Sequence, residues 1–472
     1  MSKTLFFYDL ETTGLNPFSD RVMQFAGIRT DSGFKQIGEP INLLVKLNDD
    51  TLPSPEAVMV TGITPQKTIE EGISEADFAK FLMSEVFVPD TTAIGFNNIR
   101  FDDQFIRHLF WRNFHDPYEW SWSEGRSSWD LLDAVRMTRA LRPDGINWPV
   151  DEAGVAVNRL ELISKANGLM HEKAHDALSD VEALISVAKL LYQKQPQLYD
   201  YLFKIRNKKA VKDLVNLENK KPFVYSSGKY DSNFNKTTVA FPLTSTKNGN
   251  IIVYDLRHNP ELFIGLSTND LSKVIFANYE DRQKEDYVAV PVKELRYNRS
   301  PAVAPVGVLS QSDGWGKLSL SEDIISKHMK ILSQNSDFSE KIRSVYEDRE
   351  EYPKSLEVES QLYDSFVPDV DKIRIEAVRN ADATQLADMH PVFIDDRLSE
   401  LLLHYKARNY PQSLSADEAV LWEDWRTTRI MSSIDSYADS LKRLSTSEAD
   451  ENKLFLLQEL QLWAESIMPV DV

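Results

Sequence analysis

At 472 residues the chain is too long to be organised around one hydrophobic core, so two or three domains are expected. Its 42% hydrophobic and 27% charged residues are typical of a soluble globular protein, and it has no apolar run of about 18–20 residues that could span a membrane. The absence of cysteine excludes disulfides and thiolate metal sites, and a formal net charge of −19 argues against polyanion binding by the surface as a whole, leaving a local basic groove or bound metal to do it. The N-terminus runs straight into an apolar strand without the long h-region of a secretory signal, so a cytoplasmic location is expected.

Residues 1–50 read as three strands: the apolar run ending in Tyr8-Asp9-Leu10-Glu11-Thr12-Thr13-Gly14, then about 22–29, then about 41–47. Residues 74–87 show helical spacing behind Ser74 as an N-cap, and 92–96 form a short strand. Phe101, Phe105 and Leu109 share a helix face, which puts Asp102 at a first turn. Helices are expected over 128–141, 159–167 (with Gly168 beyond its end) and 177–192, the last marked by the stripe Ala177, Val181, Leu184, Ala188 and Leu191. Strands followed by alternating helices and a strand indicate an α/β domain. The basic run 204–212 reads as a solvated helix face or linker. From 222 to 308 the pattern turns to β, with 237–243 and 251–256 flanking an Asn248-Gly249 hairpin turn and further strands at 288–292 and 302–308. Helices come next at 324–332 and 338–347, then, past an acidic run and Pro353, at 397–405, 416–432, 434–444 and 453–467.

Alternation along a strand projects Asp9 and Glu11 to one face and turns Leu10 toward the core. Two adjacent carboxylates repel unless a cation lies between them, and oxygen donors suit a hard ion such as Mg²⁺. Asp102 opens a helix after a strand, and His175-x-x-x-x-Asp180 sets a histidine just before a helix and an aspartate about one turn inside it. Four carboxylates and a histidine can serve phosphodiester hydrolysis by two metals about 4 Å apart: carboxylates to hold ions, and an imidazole of pKa about 6.5 to take a proton from water.

The motifs Asp9-Leu10-Glu11-Thr12-Thr13-Gly14, Asn98-Ile99-Arg100-Phe101-Asp102-Asp103-Gln104-Phe105 and His175 through Asp180 resemble, in order, the three motifs of the DEDDh exonucleases. The resemblance selects Asp102 over its neighbour Asp103. It narrows to the bacterial exonuclease I family through Gly95–Asp103, Asn113-Phe114-His115-Asp116-Pro117-Tyr118, Trp129–Asp133, Leu141–Pro149 and Tyr405-Lys406-Ala407-Arg408-Asn409-Tyr410-Pro411. It implies an α/β ribonuclease-H-like exonuclease domain (1–195), an SH3-like β domain (196–350) and an all-α C-terminal helical domain (351–472). It further implies 3′→5′ digestion of single-stranded DNA to 5′-mononucleotides with two Mg²⁺, for which Mn²⁺ can substitute, in DNA repair and recombination. Asp9, Glu11 and Asp180 would be metal ligands, Asp102 would bind metal directly or through water, and His175 would be the general base. Arg159 would contact the nucleotide at the scissile end, and Glu11 the terminal 3′-hydroxyl.

Single-strand binding combines cations that follow the backbone with aromatic platforms for the bases. The stretch from Arg107 to Arg142 interleaves both, and Arg107, Tyr118, Trp122 and Arg136 are expected to touch DNA, although a tryptophan in such a stretch is commonly core. The resemblance adds a partner, the acidic C-terminal tail of single-stranded DNA-binding protein, aligned on Arg142 and Tyr201. A monomer without membrane association is expected. The alternatives are a DEDDh enzyme acting on RNA ends or in proofreading, and a catalytically inactive single-strand-binding scaffold.

Overall fold

The computed structural model describes residues 3–169, 176–311, 313–349 and 354–469. They fall into two compact units, one drawn from Met1–Ser128, His171–Ile185 and Pro353–Val472, the other from Trp129–Met170 and Ser186–Tyr352. No helix among the described residues is long and apolar enough to cross a membrane.

The first unit is built on a sheet of β1 (Thr4–Thr12), β2 (Val22–Thr30), β3 (Ile41–Leu44), β4 (Thr91–Gly95) and β5 (Ser127–Asp130), in the order β3-β2-β1-β4-β5. The central strand β1 runs antiparallel to β2 and parallel to β4. Its period-two pattern sends Phe6, Tyr8 and Leu10 into a core with Phe25, Phe78, Phe105 and Phe110, so Asp9 and Glu11 emerge together on the other face. The Asp102–Arg112 helix packs Phe105, Ile106, Leu109 and Phe110 into the same core.

Residues 74–87 form an α-helix only over Glu75–Phe81, capped by Ser74. A π turn, Leu82–Val86, completes the stretch, with Phe87 N–H donating to Leu82 O at 2.7 Å. This wider turn lets Leu82, Val86 and Phe87 all reach the core. The helix expected over 128–141 begins at Leu131, because Ser127–Asp130 is a strand and Asp130 caps the helix by accepting from Leu132 N–H at 3.0 Å.

The C-terminal helices of the first unit, Arg397–Asn409, Ala416–Met431, Ile434–Ser447 and Glu451–Ile467, match the expected ones with ends extended or trimmed by a few residues. Asp369–Asn380 was not anticipated, half of its residues being charged. Trp111 and Phe114 share a core with Val358, Leu362, Val378, Leu398, Leu401 and Tyr405. Beside it lies a buried ion network. Arg21 meets Glu359 at 2.7 Å and Asp50 at 3.5 Å, while Arg408 pairs with Glu359 and reaches Asp50 at 2.7 Å. His404 Nδ1 lies 2.9 Å from Glu359 Oε1.

The second unit carries an antiparallel sheet of β6 (Phe223–Ser226), β7 (Thr237–Ser245), β8 (Ile251–Asp255), β9 (Val292–Leu295) and β10 (Ala302–Pro305), in the order β10-β6-β7-β8-β9. The β7–β8 hairpin turns where expected, at Asn248-Gly249, with Gly249 in the left-handed region at φ 72°. The strand expected at 288–292 instead runs Val292–Leu295, and residues 302–308 leave the sheet at Pro305 for a 3-10 turn. Helices Thr268–Ile275 and Tyr279–Arg282 interrupt the β pattern, each opened by a side-chain cap, from Ser267 and Asn278.

Glu359 is 1% exposed. Burial alone would raise its carboxyl pKa, but Arg408 and Arg21 pull it well below the usual range. Glu359→Ala leaves these two buried guanidiniums to share the Asp50 carboxylate and should cost about 3 kcal/mol in urea unfolding at pH 7. A depressed carboxyl pKa contributes stability above its unfolded value and loses it as pH falls toward the folded one, so the difference from wild type should shrink below about pH 4. Equal unfolding midpoints at pH 7 would remove the network from this role.

Candidate active site

Asp9 and Glu11 project from β1, and Asp180 from the first turn of the Ala177–Lys194 helix; one carboxylate oxygen of each lies within 4.8 Å of the others. Asp102 is the first residue of the Asp102–Arg112 helix and is buried. Burial, then the charges of Asp102, Glu11 and Asp180, raise Asp9 well above the usual carboxylate range. Glu11 is pushed up to about 8 by burial and by Asp180, Asp102 and Asp176. All four carboxylates therefore belong to one electrostatic cluster. Asp102 and Asp180 lie at helix N-termini, where the macrodipole offsets part of the repulsion. A donor set of carboxylate oxygens under mutual repulsion fits a hard divalent cation, which would remove the repulsion that burial intensifies.

The structure gives the adjacent aspartates different tasks. Asp103 accepts from the Tyr8 hydroxyl, from Asn98 Nδ2 at 2.9 Å and from Ser128 Oγ at 3.1 Å. It thus ties β1 to the Asp102–Arg112 helix. Burial and the Asp103 charge raise the Tyr8 phenol well above its ordinary value, so it stays protonated and donates. Asp102 is the member whose charge acts on Asp9 and Glu11. His175 lies outside the described residues. Sequence reading passed over Asp176, which accepts from Ser179 N–H at 3.2 Å, capping the Asp180 helix while adding charge near Glu11.

In the first unit, the Arg107 guanidinium lies 5.7 Å from the Tyr118 ring centroid, and both residues are half-buried. Trp122 is 70% exposed, whereas Trp111 and Trp120 are core. Arg112 is committed to Glu75 at 2.7 Å, and Arg126 to Phe87 O at 2.6 Å. Tyr363, which sequence reading missed, donates to Gln104 Oε1 at 2.7 Å, with ring centroids 5.8 Å from His108 and 6.5 Å from Tyr118. Phe18 lies 4.9 Å from His108 on the same helix. No local signal marks Tyr363, because its neighbours on the helix lie more than 240 positions away along the chain.

In the second unit, Arg136 is paired with Asp133 at 2.6 Å, and Trp129 is core. Arg159 is exposed at the N-cap position of the Leu160–Ala166 helix and pairs with Glu161. Arg142 donates to Gln311 Oε1 at 2.9 Å and Val308 O at 3.4 Å, and the Tyr201 hydroxyl to Val303 O at 3.2 Å. These two residues thus border the same stretch of chain, 302–311.

A carboxylate cluster raised on the central strand of a mixed sheet, with its other members at two helix N-termini, defines a metal-dependent nuclease of the ribonuclease-H-like class. Family models match along the chain: Exonuclease over 6–188, Exonuclease I SH3-like domain over 206–348 and Exonuclease I C-terminal domain over 356–467. Exodeoxyribonuclease I of Haemophilus influenzae is 38% identical over 460 residues, covering 97% of both chains, and that of Escherichia coli K12 is 39% identical over 469 residues, covering 98% of both. The solved Escherichia coli exonuclease I in complex with a dA16 oligonucleotide superposes with a TM-score of 0.95 at 38% identity, covering 99% of this chain and 100% of that one. The zinc-bound form of its complex with single-stranded DNA gives 0.94 at 38% identity over the same shares. The chain belongs to the exodeoxyribonuclease I family. Its order of domains is therefore a ribonuclease-H-like exonuclease domain, an SH3-like domain and a helical C-terminal domain.

A raised carboxyl pKa means the native state holds protons more tightly than the unfolded chain, so the metal-free protein should lose stability as pH climbs from about 4.5 through the Glu11 value of about 8. Divalent metal should therefore raise the thermal midpoint more at pH 8 than at pH 6 in calorimetry. Asp9→Asn removes one repelling charge and should raise the metal-free midpoint while losing most of the metal-induced rise. An undiminished rise in Asp9→Asn would take Asp9 out of the metal site.

Proposed function

We propose that this chain is a divalent-metal-dependent 3′→5′ exonuclease that degrades single-stranded DNA to 5′-mononucleotides, in DNA repair and recombination. The observation that carries this reading is the Asp9–Glu11–Asp180 carboxylate cluster, with Asp102 beside it, in a chain that matches exodeoxyribonuclease I nearly end to end. Asp9, Glu11 and Asp180 hold two Mg²⁺, which Mn²⁺ can replace, and Asp102 completes the set. Bound at these carboxylates, the ions supply Lewis acidity and charge neutralisation for phosphodiester hydrolysis.

His175 accepts the proton of the attacking water as the water adds in line to phosphorus. The P–O3′ bond then breaks, leaving a 5′-mononucleotide and a new 3′-hydroxyl. Glu11 also receives the terminal 3′-hydroxyl, and Arg159 holds the last nucleotide. Arg107, Tyr118, Trp122 and Arg136 bind the strand, the aromatic rings by stacking and the guanidiniums at phosphates. Exposure of Trp122 and the Arg107–Tyr118 contact support these roles.

The domains run 1–195, 196–350 and 351–472, in keeping with the spans of the family models. The protein acts as a cytoplasmic monomer. Its partner is the acidic C-terminal tail of single-stranded DNA-binding protein, docked at Arg142 and Tyr201. A solved structure of SSB/Exonuclease I in complex with inhibitor CFAM, 37% identical to this chain with a TM-score of 0.91, supports that partnership.

A 5′-labelled single-stranded oligonucleotide with Mg²⁺ should shorten progressively from its 3′ end while mononucleotides appear, and EDTA or Asp9→Ala should abolish this. His175→Ala should slow turnover by roughly 10²–10⁴-fold. Full activity in Asp9→Ala would overturn the metal assignment, and RNA digested as fast as DNA would overturn the substrate class.

A further inference from the structure

The β1–β2 ladder becomes irregular just where the carboxylates are presented: Glu11 pairs with Gln24, but Thr12 pairs with Val22. Past that point a two-bond clasp replaces the ladder. Thr13 N–H donates to Arg21 O, and Arg21 N–H to Thr13 Oγ1, both at 2.9 Å. The loop between them is closed tightly, since a Cβ on Gly14 would sit 2.5 Å from the Asp20 carboxylate.

Arg21 is in turn held from far along the chain. Its guanidinium is buried against Glu359 at 2.7 Å, 338 positions away, and also donates to Ser19 O at 2.9 Å. Arg429, 410 positions from Ser19, donates to the same Ser19 O at 2.9 Å and to Asp50 O at 2.9 Å. The segment carrying Glu359 also grips the helix that begins at Asp102. His108 Nδ1 lies 3.2 Å from Glu359 O, and Trp111 Nε1 donates to Val358 O at 3.1 Å. One short piece of the C-terminal domain therefore touches the helix that presents Asp102 directly and, through the Arg21–Thr13 clasp, holds the end of the strand that presents Asp9 and Glu11.

We infer that Glu359 and Arg429 of the C-terminal domain are positioning residues for the metal-binding carboxylates, acting through Arg21 and the Ser19 carbonyl on the end of β1. The inference rests on the reading of Asp9 and Glu11 as metal ligands. Its physical basis is that a metal site tolerates only small displacement of its ligands, and partners that orient ligands typically carry roughly 10–100-fold in affinity. Asp50 and Glu359 keep Arg21 and Arg408 when Arg429 is removed, so that deletion leaves no buried carboxylate without a partner.

The test is direct Mn²⁺ binding to the full-length protein without DNA, read by electron paramagnetic resonance, alongside steady-state digestion of an oligonucleotide. Arg429→Gln should weaken Mn²⁺ binding roughly 10-fold or more and lower kcat while leaving the oligonucleotide KM within about twofold. Arg429→Lys should restore part of both losses. Glu359→Gln, measured on its folded fraction, should show the same pattern, and Arg443→Ala, which breaks an exposed pair with Glu56, should change neither quantity. Wild-type Mn²⁺ affinity and kcat in Arg429→Gln, with Glu359→Gln losing activity only in step with its unfolded fraction, would overturn the inference. Wild-type Mn²⁺ affinity in Asp9→Ala would instead overturn the metal reading, and the inference with it.

Discussion

Four carboxylates share one site, where burial and their neighbours' charges make Asp9 and Glu11 costly to ionise. Repulsion among Asp9, Glu11, Asp102 and Asp180 would drive their side chains apart if the backbone beneath them could yield. The surrounding architecture prevents this. Asp9 and Glu11 belong to the central strand of a five-stranded sheet, paired on one side to β2 and on the other to β4. Asp102 and Asp180 belong to first turns of helices, where side chains have little backbone freedom and the dipole favours charge. Asp103 is spent as a strut: three side-chain donors hold it, and through it the Asp102 helix is fixed to Tyr8 on β1. The cluster is thus kept under electrostatic strain that a bound cation relieves.

The buried ion network answers a different need. The C-terminal helices form one compact unit with the sheet, joined to it by hydrophobic clusters around Trp111, Phe114, Val358 and Tyr405, around Val58, Tyr437 and Leu460, and around Leu47, Ile430 and Trp463. Apolar packing fixes proximity but specifies register loosely, whereas a guanidinium–carboxylate contact fixes it in distance and direction. Arg21, Asp50, Glu359 and Arg408 are all buried, so a misplaced C-terminal segment would leave charges without partners. The network therefore acts on register, and the register it sets is that of the strand end carrying Glu11.

Local chemistry was readable in the sequence wherever one element decides it. Alternation alone separated Asp9 and Glu11 from Leu10, and the stripe from Ala177 to Leu191 named a helix whose stripe residues are all buried. The choice of Asp102 over Asp103 needed a motif from known exonucleases, because both open the same helix. In the structure three side-chain donors surround Asp103. Errors arose where tertiary context outweighs periodicity: the π turn at Leu82–Val86, the short strand hidden in 127–130, and β9, which pairs with β8 at Val292–Leu295 although the residues before it looked equally strand-like. Glu359, Arg429 and Tyr363 gave no signal at all. Each derives its role from partners more than 240 positions away, and no window of sequence contains both ends of such a contact.

Charge shows most clearly why composition misleads here. A chain of net charge −19 that digests a polyanion needs local compensation, and the arginine-rich stretch from 107 to 142 looks like its source. Yet Arg112 and Arg126 are bonded to Glu75 and a backbone carbonyl, and Arg139 is bonded to Val157 O. Much of that positive charge therefore holds the fold together. The aromatic groups are differently disposed: Trp122 is largely exposed, and the partly exposed rings of Phe18, Tyr363 and Tyr118 are linked by ring contacts, with the buried His108 between the first two, beside the helix that Asp102 begins. Stacking on such rings is indifferent to base identity and to the protein's net charge. An acidic nuclease can hold a single strand in this way, with bases on aromatic faces, and reserve bound cations for the one phosphate that must react.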